Sequence, residues 1–111
     1  MPIVSESELV AAVTRDRAAK KRLALAAVCF DILSVGELRV LQTAARQADR
    51  LVAAVLDDAA VRAKMGKGRP VVTANGRAEL VDAVRGVDYV IVCSERDVDR
   101  LTSLLNPDVR A

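Results

Sequence analysis

The sequence predicts an α/β protein: a Rossmann-like, doubly wound parallel sheet with helices on both faces. Three observations carry this expectation. Apolar runs of strand length alternate with segments of helical periodicity along the whole chain. Hydrophobic residues make up 52% of the composition, yet Phe30 and Tyr89 are its only aromatics, so the interior has to be filled by Val, Leu, Ile and Ala. At 111 residues, with no linker or low-complexity stretch, residues 1–111 read as one domain with one core.

Residues 1–22 form an N-terminal helical segment, its helix running from about Ser5 to Ala19. Ser5 and Glu8 have the spacing of a capping box, and Leu9, Val10, Ala12 and Val13 follow with helical spacing. The cations Arg15, Arg17, Lys20, Lys21 and Arg22 suit a solvated helix end facing exposed carbonyls, with an anion-binding patch as the alternative. Leu23 to Phe30 is almost wholly apolar and bounded by charge, as a central strand covered on both faces would be. A helix from Gly36 to Ala48 places Leu38, Leu41, Ala44, Ala45 and Ala48 on one face, and Leu51 to Leu56 is the next strand. Strand, helix and strand in that order imply a parallel pair. Lys64 to Pro70, KMGKGRP, is a Gly-rich basic loop. A helix from about Gly76 to Arg85 and a strand from Val87 to Cys93 repeat the pattern. Ser94 or Asp97 caps a last helix reaching about Leu105, stopped by Asn106-Pro107.

Composition excludes several classes of function. There is no histidine, so imidazole acid–base chemistry and imidazole metal ligation are absent. Seventeen basic against 15 acidic residues leave a net charge of +2, too balanced for nucleic-acid binding by bulk electrostatics, and no aromatic outside a strand offers a stacking surface. No run approaches the roughly 20 apolar residues of a membrane span, and MPIVSESEL carries no basic region ahead of an apolar run, so no secretory leader is expected. Cys29 and Cys93 lie far apart in strand-like runs and read as free thiols, which together with the missing leader gives an expectation of a cytoplasmic protein. A redox or nucleophilic role for Cys29 is disfavoured because Asp31 would raise its pKa and no histidine would lower it.

In an open parallel sheet, ligands bind beyond the carboxyl ends of the strands where strand order reverses. That places candidate chemistry at Cys29 to Gly36, at Leu56 to Asp58 and at Ser94. The segment CFDILSVGEL runs from a strand into a helix start whose N–H groups would face a bound anion, a weak signal by itself.

From CFDILSVGEL onward the chain resembles the cytidylyltransferase-like nucleotidyltransferases, and among them most the bacterial adenylyltransferases that activate heptose 1-phosphate for lipopolysaccharide. The resemblance spans about Ser5 to Val109. It rests on Phe30-Asp31, Gly36, DRLVAAV, Asp58, the GxGRP of Gly66 to Pro70, the RAE of Arg77 to Glu79, and VDYV at 87 to 90. The resemblance implies a nucleotide or phosphate site drawn from Cys29, Phe30, Asp31, Lys64, Arg69 and Arg77, and a homodimer.

The departures from the family pattern are chemical. The resemblance implies a His-x-Gly-His turn at Ser34-Val35-Gly36-Glu37, so both histidines that would steady developing phosphate charge are replaced. Glu37 is expected to face the anion site, where two unit charges about 4 Å apart repel by roughly 4 kcal/mol at an effective dielectric near 20. Loss of one preorganised donor costs on the order of 100- to 1000-fold in rate. An Asn-Gly pair of the family is replaced by Ala27-Val28, which is expected to fill the nucleotide floor. The family's phosphate-binding lysine aligns with Met65, leaving Lys64 one residue out of register. The family's last motif, an Arg-Thr-x-Gly-Ile-Ser-like helix start, is absent from residues 1–111, and the strand after Pro107 is expected to be little more than Asp108 to Arg110. An open sheet edge there would suit a second copy.

Two functional expectations follow. In the first, the fold is catalytically degenerate, with no catalytic residue at the degenerate positions Ser34, Gly36 and Glu37. The protein then acts in binding or scaffolding, Phe30 serves as a core anchor, Asp31 accepts hydrogen bonds from the turn after it, and a phosphorylated small molecule or nucleotide is a possible ligand. In the second, an active enzyme joins a nucleoside triphosphate to a sugar or polyol phosphate. Asp31, Glu37, Asp57 and Asp58 would then gather Mg²⁺ while Lys64, Arg69 and Arg77 contact phosphates. Asp57-Asp58 reads equally as the start of a helix.

Overall fold

A computed structural model describes residues 3–29, 31 and 33–111. The expectation for Phe30 as a core anchor or ligand contact therefore lies outside the described residues. The elements in chain order are α1 (Glu6–Ala18), β1 (Leu23–Val28), α2 (Val35–Arg46), β2 (Arg50–Leu56), α3 (Asp58–Met65), α4 (Ala74–Asp82), β3 (Tyr89–Cys93), α5 (Glu95–Leu105) and β4 (Val109–Arg110).

The strands form one four-stranded sheet in the order β3-β2-β1-β4, with every pairing parallel. Side chains alternate across it, so each central strand feeds two cores. On one face Leu23, Leu25, Val52, Ala54, Leu56, Ile91 and Cys93 pack with Leu9 and Val13 of α1, Ala60 of α3, and Val98, Leu101 and Leu105 of α5. On the other, Ala24, Ala26, Val28, Leu51, Ala53, Val55 and Val90 pack with Leu41 and Ala44 of α2 and Ala78 and Val81 of α4. The chain winds β1, α2, β2, α4, β3 with α2 and α4 on one face. It then returns through α5 on the opposite face to place β4 on the far side of β1. Strand order therefore reverses at β1, and the crevice for a ligand lies between the carboxyl end of β1 and β4.

The predicted architecture holds, and its departures have local causes. α1 starts on the expected Ser5–Glu8 capping box. α3 starts where Asp57-Asp58 reads as the start of a helix, although no extent was expected for it; Asp57 caps it by accepting from Ala60 N at 2.9 Å. α4 begins at Ala74 instead of Gly76 because Thr73 caps it, and α5 begins directly after Ser94. Asn106 closes α5 in the left-handed conformation at φ 47°, its N–H donating to Thr102 O. At the opposite edge, Ile3 bridges Val90 and Val4 N donates to Val90 O, so the amino-terminal segment lies along β3. Of the basic residues around the end of α1, Arg17 is drawn into the fold: it donates to Asp108 and to the carbonyls of Leu105 and Asn106. No described helix is long and apolar enough to cross a membrane.

Candidate functional site

The turn after β1 holds the residues that would correspond to the family signature. α2 opens at Val35, one residue before the expected start, with Ser34 as its N-cap. Ser34 Oγ accepts from Glu37 N at 3.3 Å, and Glu37 Oε2 accepts from Ser34 N at 3.2 Å. This is a complete capping box, and it corrects the expected placement of Glu37. The carboxylate is not directed out as a repulsive anion but folds back onto the helix start. The sequence contains the signal, Ser-x-x-Glu before an apolar run, in the same form as at Ser5–Glu8. Gly36 stands between them, and a Cβ placed there would meet only Ser34 Oγ at 3.5 Å.

Asp31 is 1% exposed. Its Oδ2 accepts from Arg69 Nη1 at 2.8 Å and from Val71 N at 2.6 Å, and its Oδ1 accepts from Val72 N at 2.8 Å. Burial would raise its pKa, but the Arg69 guanidinium and the Val72 and Val71 amides outweigh burial and hold it at about 2. The carboxylate was expected to serve the turn that follows it. Instead it holds the loop between α3 and α4, about 40 residues downstream, because those amides precede α4 and have no strand or helix partner of their own.

Arg77, expected as a phosphate contact, is a buried structural cation with 0% exposure. Its Nε donates to Val72 O at 3.0 Å, Nη1 to Leu56 O at 2.7 Å and Nη2 to Asp58 Oδ1 at 2.8 Å. A guanidinium in this position ties the end of β2 to the starts of α3 and α4, and reaching a phosphate would break those bonds. Asp58 is thereby drawn to Arg77, and Asp57 to the start of α3. Asp31, Glu37, Asp57 and Asp58 are each engaged separately, and no group of three metal-ligating residues occurs among the described residues.

One opening at the carboxyl end of β1 lies on the α5 side of the sheet. It is a hollow of about 330 Å³, bordered by Ala27, Cys29, Leu56, Lys64, Glu95 and Arg110. Lys64 Nζ lies 2.8 Å from Glu95 Oε1 across its rim, and that carboxylate raises the lysine pKa. Burial raises the Cys29 pKa, opposed by Lys64 and Arg77. Val28, expected to fill a nucleotide floor, points elsewhere: it is 4% exposed within the α2–α4 core, because alternation along β1 turns Ala27 and not Val28 toward the hollow.

The expected site residues thus fall into pairs: Ser34 with Glu37, Asp31 with Arg69, Asp58 with Arg77, and Cys29 beside Lys64. An all-parallel sheet reversing at its first strand, with a turn into α2 and a basic Gly-rich loop before α4, is a Rossmann-like α/β domain. A profile of the family described as cytidylyltransferase-like matches residues 25–111, and the chain belongs to that family. It is 40% identical over 106 residues to "Bifunctional protein HldE" of Hydrogenovibrio crunogenus and 41% identical over 106 residues to the protein of the same name from Halorhodospira halophila. Each alignment covers 96% of this chain and 22% of the relative, so the chain spans about a fifth of the length of these relatives. A crystal structure of the lipopolysaccharide core biosynthesis protein from Thermoplasma volcanium GSS1 superposes with a TM-score of 0.71 at 27% identity, covering 81% of this chain and 72% of that one.

Proposed function

We propose that this chain is a catalytically degenerate cytidylyltransferase-like protein that serves in binding or scaffolding and does not transfer nucleotides. One observation carries the reading. The start of α2, where the resemblance implies two phosphate-facing imidazoles, has Ser34 and Glu37 bonded to each other's backbone nitrogens. A carboxylate already occupies the positive end of the helix, and an entering phosphate would have to displace it. The cations that a triphosphate needs are committed as well: Arg69 to Asp31, Arg77 to Asp58 and the backbone, and Lys64 to Glu95.

The proposal extends to a cytoplasmic homodimer. The homodimer is what the family resemblance implies; β4 itself pairs with β1 at Ala24 and Leu25.

Thermal stability measured with ATP and CTP, with and without magnesium, tests the first part. No metal-dependent shift is expected for the natural chain; a magnesium-dependent rise in Tm with either nucleotide would overturn the reading. The double substitution Ser34→His with Glu37→His is the positive arm, and a shift gained there assigns the loss to these two positions.

A further inference from the structure

We infer that Asp31 is a tethered anion seated in an oxyanion cradle formed by the loop between α3 and α4, so that the chain itself, and no bound phosphate, sets the shape of that loop. The cradle has three donors: the Arg69 guanidinium and the successive backbone amides of Val71 and Val72. Consecutive N–H groups beside a guanidinium form the kind of concavity that takes phosphate or carboxylate oxygens. Here a carboxylate with 1% exposure fills it.

The opposite side of the same backbone is held too. Val72 donates its N–H to Asp31 while its carbonyl accepts from Arg77 Nε at 3.0 Å. Asp31 follows β1, and Arg77 also grips Leu56 O at the end of β2. One residue of the loop, Val72, is therefore pinned through both of its backbone polar groups from the carboxyl ends of both central strands. The stretch from Gly66 to Arg69 hangs from that point, with Gly66 at φ 98° and Gly68 at φ 83° supplying a backbone path that other residues rarely take. This inference does not depend on whether nucleotide transfer has been lost.

The test compares the full chain with Asp31→Ala and Asp31→Asn, using tryptic cleavage after Lys67 as a local readout. Cleavage is expected to accelerate by about tenfold or more in Asp31→Ala, the loss that removal of hydrogen bonds to a charged acceptor implies. Sodium formate, a free carboxylate of the size removed, is expected to slow it again in Asp31→Ala and to leave Asp31→Asn unchanged. Wild-type cleavage rates in Asp31→Ala, or rescue no better than sodium chloride at equal ionic strength, would overturn the inference. Should Asp31→Ala fail to fold, amide exchange in the natural chain decides: the Val71 and Val72 amides are expected to be protected relative to Lys67 and Gly68, and equal exchange across these four overturns it.

Discussion

Ser34 and Glu37 hold each other by two reciprocal hydrogen bonds, Glu37 N to Ser34 Oγ at 3.3 Å and Ser34 N to Glu37 Oε2 at 3.2 Å. The pair starts α2 at the place where a nucleotidyltransferase would be expected to meet phosphate. It stabilises the helix with the same donors that an anion would use. Ser34→Ala is therefore expected to cost about 1 kcal/mol of folding stability, as N-cap removal typically does. Urea unfolding followed by circular dichroism measures it; an unchanged midpoint would show that the box contributes nothing.

Arg77 is the one buried cation among the described residues. Arg77→Met leaves the Leu56 and Val72 carbonyls without this donor and Asp58 without its partner, and is expected to destabilise by about 3 kcal/mol or more. Arg77→Lys is expected to recover only part of this, since one ammonium cannot span three directions. Recovery to wild-type stability by lysine in the same unfolding assay would contradict the bridging role.

Asp31 sets a pH limit. Its pKa falls from an ordinary 3.8 to about 2, so the stabilisation it contributes is fully present above the unfolded value and is lost as pH drops through the folded one. Tm is expected to decline between about pH 4 and pH 2 more steeply in the natural chain than in Asp31→Asn. Parallel declines would place the acid sensitivity elsewhere.

The two cysteines should separate by reactivity. Cys93 is buried, and burial together with Asp97 and Asp57 raises its pKa to about 11, whereas Cys29 borders the hollow. Alkylation of the folded protein at pH 8 is expected to mark Cys29 before Cys93, read by peptide mass spectrometry, with Cys93 reacting only on unfolding. Equal labelling would refute the assigned burial.

Val28→Gly would not open a nucleotide floor. It removes a side chain from the α2–α4 core and is expected to cost on the order of 2 kcal/mol without any gain in nucleotide binding, measured by thermal shift.

Much of the fold was legible in the residues because strand and helix periods are local. The apolar run from Leu23 to Phe30 and the Ser5–Glu8 box led directly to β1, which ends at Val28, and to α1. The short α3 was harder: eight residues beginning DAAVRAKM carry little periodicity, and only the Asp57 cap marks its start. The candidate site was less legible because its partners are distant in sequence. Nothing local in RPVV says that its amides serve a carboxylate 40 residues earlier, or that Arg77 is buried and not available to a ligand. Glu37 is a different case. Its spacing from Ser34 was readable, but charge alone suggests repulsion, and only the backbone shows where the carboxylate goes.

Arg17 makes the amino-terminal helix more than a prefix. The family profile begins at residue 25, past the whole of α1. Yet Arg17 bonds Asp108 Oδ2 at 2.7 Å, that same oxygen accepts from Leu23 N at 2.8 Å, and Tyr89 Oη donates to Asp16. The first helix thus fastens the last strand to the first, joining the two ends of the chain through one carboxylate. The stable unit is therefore longer than the stretch the family profile covers, and a fragment trimmed to residues 25–111 would shed the clasp that keeps β4 in register.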